Sequence, residues 1–384
     1  MTRLNVLFID DDSFMLKALH RVCRRLKPDY HFVLCEQQSM WQSVWSESTP
    51  PDVVFCDYLM PMRNGDKVLE EIACTYPSAV RVLLTGDVTE EVLSKASEVA
   101  HFVLSKPFAE NDLNHVFLCL ERLNALKFPQ VSRAKLGQIG YFFVLPELAL
   151  KLQDLFSQPD VDIKDVTDHI MTDSVITAKI IQFANSAFLG YRVHTTSLAE
   201  AIKRLGLRLV EAIVISISVE QQVSLRIPLS VYKHCSEWTY RYAAACRQNS
   251  KTLGFSTEMQ DFIYVAALLT GLGHFSQALE QTDYDPDAES KLIDIEQALC
   301  YKPSTMSAVY FLTLWGFPSD ICKTVLFQDK PPFSGVGLNE KSLSLVMFVT
   351  KLSLLGSLTY EAKQRIKTEI NDTATMQWLE LIMR

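Results

Sequence analysis

Asp10-Asp11-Asp12 closes the apolar stretch Leu4 to Ile9, and Asp57 closes Val53 to Cys56. Thr85 closes Val82 to Leu84, and Lys106-Pro107 follows Phe102 to Leu104. Carboxylates can hold a hard divalent cation such as Mg²⁺, and a further carboxylate can act as a nucleophile. A hydroxyl and an ammonium can neutralise the oxygens of a transferred phosphoryl group, a reaction catalysed mainly by positioning and charge. The set therefore suits capture of a phosphoryl group on Asp57. One acidic strand end is ordinarily a turn or a helix cap. Four polar ends can meet only if the strands lie in one open parallel sheet, whose carboxyl ends face a common crevice.

The elements needed to do this are readable. Strand-like runs alternate with helical patterns as far as residue 108, which argues for βαβ units. The first helix is expected at Ser13 to Leu26. Leu113, Val116, Phe117, Leu120 and Leu123 form one stripe of a later helix. Phe128-Pro129 and the polar residues 130–140 mark a linker. Beyond it the patterns are helical, with Ile176, Ile180, Phe183, Ala184 and Ala187 on one face. In the tail, Leu343, Val346, Met347, Val349, Leu352 and Leu355 make a broad apolar surface, and the chain closes on Trp378-Leu379-Glu380-Leu381-Ile382. These residues complete or cover the helical core, or present a face to a partner or to a second copy of the chain.

Residues 1–125 resemble the receiver domain of two-component response regulators. Asp57-Tyr58-Leu59-Met60-Pro61 with Gly65 looks like the family's phosphorylation loop, and Lys106-Pro107-Phe108 like its Lys-Pro turn. The resemblance implies that Asp57 is the phosphoacceptor and that Asp10, Asp11, Asp57 and the backbone carbonyl of Leu59 hold Mg²⁺. It implies that Thr85 and Lys106 contact the phosphoryl group, and that a non-proline cis peptide precedes the Lys-Pro turn. Leu59 and Asp87 then flank the site where water reaches the phosphoryl group. Val103 departs from the family, which often has Tyr or Phe three residues before the lysine; Phe102 is the neighbouring aromatic.

The second half resembles the HDOD domain, a helical relative of the HD metal-dependent phosphohydrolases. The matching residues are Leu145-Pro146-Glu147-Leu148, Asp173-Ser174, Asn185-Ser186-Ala187-Phe188 with Gly190, Ala201-Ile202-Lys203-Arg204-Leu205-Gly206 and Leu314-Trp315-Gly316-Phe317-Pro318. The HD enzymes need an adjacent His-Asp pair for their metal. Thr270 and Gly271 stand in its place here, and Phe327-Gln328-Asp329 stands where relatives commonly carry tandem histidines. Neither replacement supplies a good divalent ligand, so the domain reads as non-catalytic. The alternative is a metal-dependent phosphohydrolase or a nucleotide second-messenger hydrolase in the helical domain. Asp165, His169 and Asp173 fall at i, i+4 and i+8, yet Asp173 is better read as a helix cap. His194, His234 and His274 are scattered singles.

Composition sets the frame. The chain has 384 residues, 48% of them hydrophobic, enough for more than one core. A net charge of -8 and the lack of a basic stripe beyond Lys203, Arg204 and Arg208 argue against nucleic-acid binding. The nine cysteines include no Cys-x-x-Cys pair, which fits a reduced, cytoplasmic setting. No stretch reads as a membrane span. The expectation is a multidomain protein: an α/β doubly wound five-stranded parallel-sheet receiver (1–125), a linker (126–140), an all-α HDOD-like domain (141–335) and a C-terminal helical extension (336–384). It would take phosphate on Asp57, with Mg²⁺ as cofactor, from a histidine kinase or phosphotransfer protein. Residues 111–140 would pass the change on, and the helical domain would act by contact with a downstream signalling protein.

Overall fold

The computed structural model describes residues 3–45, 49–86, 95–96, 98–126, 128–139, 147–156, 158, 160–185, 194–291, 301–329, 338–356 and 380. The chain divides into two compact units, Met1–Val144 with Tyr310–Phe317, and Leu145–Val309 with Pro318–Arg384.

The first unit is built on a parallel sheet of β1 (Asn5–Ile9), β2 (His31–Cys35), β3 (Val53–Asp57), β4 (Val80–Thr85) and β5 (Phe102–Ser105), in the order β2-β1-β3-β4-β5. Burial on both faces explains why β3 and β4 are apolar almost throughout. Alternate residues serve opposite faces. Leu7, Ile9, Val54, Cys56 and Leu83 pack in one cluster with Trp41, Val68, Leu69 and Ile72. Phe8 stacks on Phe55 at 4.9 Å, and Phe55 meets Phe117 edge-on at 5.9 Å. The helices are α1 (Ser13–Leu26), α2 (Trp41–Val44), α3 (Gly65–Thr75), α4 (Glu110–Ala125) and α5 (Gln130–Gly137). The bounds of α1 are those read from the sequence, and the α4 stripe from Leu113 to Leu123 is buried as expected. The segment expected as a plain linker contains α5, which buries Leu136 and receives the Arg81 guanidinium on the Gly137 carbonyl at 2.6 Å.

The second unit is helical: α6 (Glu147–Phe156), α7 (Ile163–Ile170), α8 (Ser174–Ala184), α9 (Leu198–Leu205), α10 (Leu207–Ser224), α11 (Leu229–Thr252), α12 (Thr257–Leu269), α13 (Gly271–Glu280) and α14 (Pro286–Lys291). Then come α15 (Pro303–Leu314), which enters the first unit at Tyr310, α16 (Ser319–Leu326) and α17 (Leu338–Leu354). Asp173 caps α8 by accepting from the Val175 and Ile176 amides, as its sequence setting suggested. Asn185 clasps Thr195 from both sides, its Nδ2 donating to the Thr195 carbonyl and its Oδ1 accepting the Thr195 amide, each at 2.7 Å. The tail's apolar surface is core, with Leu343, Val346, Met347, Val349 and Leu352 buried. Trp378 and its apolar neighbours lie outside the described residues. By length and composition alone, Thr257–Glu280 is apolar enough to cross a membrane. Its window, however, is 89% buried within the helical core.

Candidate phosphorylation site

Asp10 and Asp57 are brought together because β1 and β3 are neighbours that end at the same edge. Both are buried, at 1% and 7% exposure, whereas Asp11 is exposed. One carboxylate oxygen from each of Asp10, Asp11 and Asp57 lies within 4.8 Å of the others. Three converging hard oxygen donors fit a small divalent cation such as Mg²⁺. Asp12 does a different job, capping α1 by accepting from the Phe14 amide at 2.8 Å and the Met15 amide at 3.3 Å.

Lys106 reaches in from the end of β5, with Nζ 2.6 Å from Asp57 Oδ1 and 3.4 Å from Asp10 Oδ2. Its amide donates to the Thr85 carbonyl at 2.6 Å, which ties the ends of β4 and β5 together. Burial works against the Lys106 charge, but Asp57 and Asp10 outweigh it and hold the ammonium above its ordinary pKa. Burial pushes the Asp10 carboxyl up, and the Asp12 amide and Lys106 only partly counter this. Thr85 is fully buried at the end of β4. The expected non-proline cis peptide is corrected: among the described residues the cis bond is Lys106–Pro107 itself.

The loop after Asp57 is pinned at its base. The Gly65 amide donates to the Tyr58 carbonyl at 2.8 Å, and a Cβ on Gly65 would come within 2.0 Å of the Asp57 carbonyl oxygen. Gly65→Ala must therefore displace the backbone that carries Asp57. A stability loss of about 1–3 kcal/mol is expected for this overpacking, read as a lower denaturation midpoint. Phe14 in the first turn of α1, and Leu59 and Met62 in the loop after Asp57, are apolar side chains left 79%, 60% and 99% exposed. Nothing in the sequence marks Phe14 or Met62, since neither belongs to a periodic stripe. Asp87 lies outside the described residues. Phe102 packs edge-on against His115 at 6.4 Å, while Val103 joins the sheet core.

In the helical unit, Thr270 caps α12 and its hydroxyl donates to the Ala267 carbonyl at 2.7 Å. A Cβ on Gly271 would already lie 2.8 Å from Thr239 Cγ2, so a carboxylate there needs Thr239 to move. Several of the nearby titratable groups are paired with one another. Tyr284 donates to Glu289 Oε2 at 2.6 Å, so His274 Nδ1, 2.7 Å from the same hydroxyl, is the donor to it. Burial pushes the His274 pKa down to about 4, leaving it neutral. Asp329 accepts from Lys351 Nζ at 2.7 Å and from the Lys302 amide at 3.2 Å. His169 Nδ1 contacts the Asp165 carbonyl oxygen at 2.8 Å instead of converging on Asp173. In a second group of possible ligands, His234, Asp285 and Asp287, His234 Nε2 lies 3.0 Å from Asp287 Oδ2, and Arg241 pairs with Asp287 at 3.2 Å.

The strand order and the pocket at the carboxyl edge define a receiver of the response-regulator class, and the response regulator receiver domain model matches residues 6–117. The HDOD domain model matches residues 143–331, so the chain is a receiver–HDOD protein. Curated relatives include "Stress response regulator protein 1" of Meyerozyma guilliermondii, 34% identical over 28% of this chain and 51% of that protein. An uncharacterized protein of Treponema pallidum is 23% identical over 49% of this chain and 37% of its own length. The chain thus spans about half or less of the curated relatives it matches. Among solved structures, the receiver domain of an HD domain-containing protein from Pseudomonas fluorescens is 25% identical, with TM-score 0.30, covering 33% of this chain and 94% of that one. A putative metal-dependent phosphohydrolase from Shewanella amazonensis is 20% identical, with TM-score 0.42, covering 71% and 98%.

Proposed function

We propose that the protein is a phosphorylation-controlled response regulator that accepts a phosphoryl group on Asp57. The observation that carries this is one buried carboxylate held at 2.6 Å by Lys106, with two further carboxylates in reach of a shared cation. A phosphohistidine of a histidine kinase or phosphotransfer protein would be the donor. Its N–P bond breaks as an Asp57 oxygen bonds to phosphorus, and the imidazole leaves. Mg²⁺ would be held by Asp10, Asp11, Asp57 and the Leu59 carbonyl, neutralising the phosphoryl oxygens. Thr85 and Lys106 would take the same oxygens by hydrogen bond and charge. Output is by protein contact of a non-catalytic helical domain with a downstream signalling protein, in the cytoplasm of a bacterium. The self-paired Glu289, His274 and Asp329 support the non-catalytic reading.

The test is labelling of the full chain by radioactive acetyl phosphate. Label should form only with Mg²⁺ and should fail to form when a chelator is present from the start; label that forms in excess chelator would overturn the metal assignment. The labelling rate should also fall as the solution is acidified. Asp10, raised by burial, takes up its proton at a higher pH than the ordinary Asp value of about 3.9, and a protonated Asp10 no longer ligates. The decline should therefore begin at a higher pH than an unperturbed carboxylate would give, and Asp10→Asn should remove that part of the profile along with most of the Mg²⁺ affinity.

A further inference from the structure

Eight residues of the first unit, Tyr310–Phe317, come from far along the chain, inside the stretch matched as HDOD. They are held within that unit at two places. At the first, His101 is buried, and its Nδ1 accepts the Arg81 amide at 3.0 Å. The imidazole proton therefore sits on Nε2 and is donated to Tyr310 Oη at 2.8 Å. Burial and the neighbouring Arg81 hold His101 well below the imidazole range, so this tautomer stays neutral. Arg81 also donates through Nε to the Val99 carbonyl at 2.6 Å and through Nη2 to the Gly137 carbonyl at 2.6 Å. At the second place, Arg122 Nη1 reaches the carbonyls of Gly316 and Phe317 at 3.2 and 3.3 Å. Gly316 has φ +78, and a Cβ there would come within 2.6 Å of the His115 ring, which itself packs on Phe102.

Both places connect to the Asp57 pocket through β5. His101 precedes this strand and Phe102 begins it, and three residues after Phe102 it ends at Ser105, beside Lys106. A change in the position of Lys106, which bonds Asp57, moves a strand of only four residues whose other end carries His101 and Phe102. Tyr310 continues α15, whose earlier residues Pro303–Val309 belong to the second unit. An α-helix transmits displacement along its axis because each residue is bonded to the next turn.

We propose that Tyr310–Phe317 is the segment through which the state of the Asp57 pocket reaches the helical domain, with His101–Tyr310 and Arg122–Gly316 as its anchors. This rests on the reading of Asp57 as phosphoacceptor and adds the route of regulation. The bonds described for the two anchors involve none of Asp10, Asp57, Thr85 and Lys106, so the route can be cut without removing the chemistry.

The experiment is hydrogen–deuterium exchange of the full chain with and without Mg²⁺ and beryllium fluoride, a phosphoryl analogue that binds the acceptor carboxylate. It compares wild type, Tyr310→Phe, Arg122→Gln and the double variant. In wild type the probe should alter exchange around Asp57 and in peptides of residues 145–309. In the double variant the change around Asp57 should persist, while the change in 145–309 should fall by about fivefold or more, the size of ordinary coupling between sites. Tyr310→Phe keeps the ring and removes only the hydroxyl, so it supplies the same comparison if the double variant folds poorly. A full wild-type response in Tyr310→Phe and Arg122→Gln would overturn the route, as would a wild type that binds the probe with no change in 145–309. Failure of wild type to bind the probe would instead overturn the reading of Asp57.

Discussion

Asp57→Asn should abolish labelling by acetyl phosphate, with a loss of at least about a hundredfold, because an amide oxygen carries no charge with which to attack phosphorus. The substitution is nearly isosteric, and Lys106 can still donate to the amide oxygen where it now meets Asp57 Oδ1 at 2.6 Å. The fold should therefore survive, and the labelling experiment reads chemistry alone. Lys106→Met should behave differently. It removes the ammonium that balances Asp10 and Asp57, so the bound phosphoryl group loses a charge partner and the end of β5 loses its tie to the pocket. Label should still enter, since the nucleophile and the metal ligands remain, but the exchange response beyond the pocket should be lost. Label on Asp57→Asn close to the wild-type level would mean that another residue accepts the phosphoryl group.

Lys351→Met should be the most destabilising single change in the helical unit, at about 3–5 kcal/mol, because it strands a buried carboxylate. Lys351 and Asp329 are 2.7 Å apart with side chains only 2% and 5% exposed. Burial alone would raise the Asp329 pKa. Lys351, by charge and hydrogen bond, reverses this with help from Thr305 and Lys302 and holds the carboxyl below its usual range. A depressed carboxylate contributes stability that is present above its unfolded pKa of about 3.9 and is lost as pH falls through the folded value. Wild type should therefore lose this contribution only below about pH 4, and the variant should lack it at neutral pH. Denaturation can be followed by Trp238, whose ring centre lies 5.9 Å from the Lys351 ammonium. Pairing Lys351→Met with Asp329→Leu should recover most of the loss, since an apolar pair of similar volume removes the stranded charge. No recovery in the double variant would show that Lys351 acts through packing instead.

The pocket was legible because its residues interrupt apolar runs, and a parallel sheet leaves few other reasons for polar groups to end four of its strands. Asp10, Asp57, Thr85 and Lys106 all lie where that logic puts them. The helix in residues 130–137 was read as linker because it buries little besides Leu136 and is otherwise polar. Lys351 was missed inside an apolar stripe, since its partner is 22 residues away and nothing local marks the pair. Tyr310–Phe317 was missed for the same reason. It reads as the end of an ordinary apolar helix, and the sequence placed transmission on residues 111–140, where the stripe and the linker drew attention.

The 24-residue, largely apolar run Thr257–Glu280 has a consequence for synthesis of the chain. Until later residues arrive, including α16 and α17, this run is exposed as it leaves the ribosome. By composition it resembles a segment that the insertion machinery would move into a bilayer. Folding has to bury it before such capture or aggregation occurs. Any shortened version of the gene that ends before α17 would leave the run without part of its cover, and its product should be recovered with membranes or in inclusion bodies. Boundaries for expressing the helical half should be drawn with that in mind.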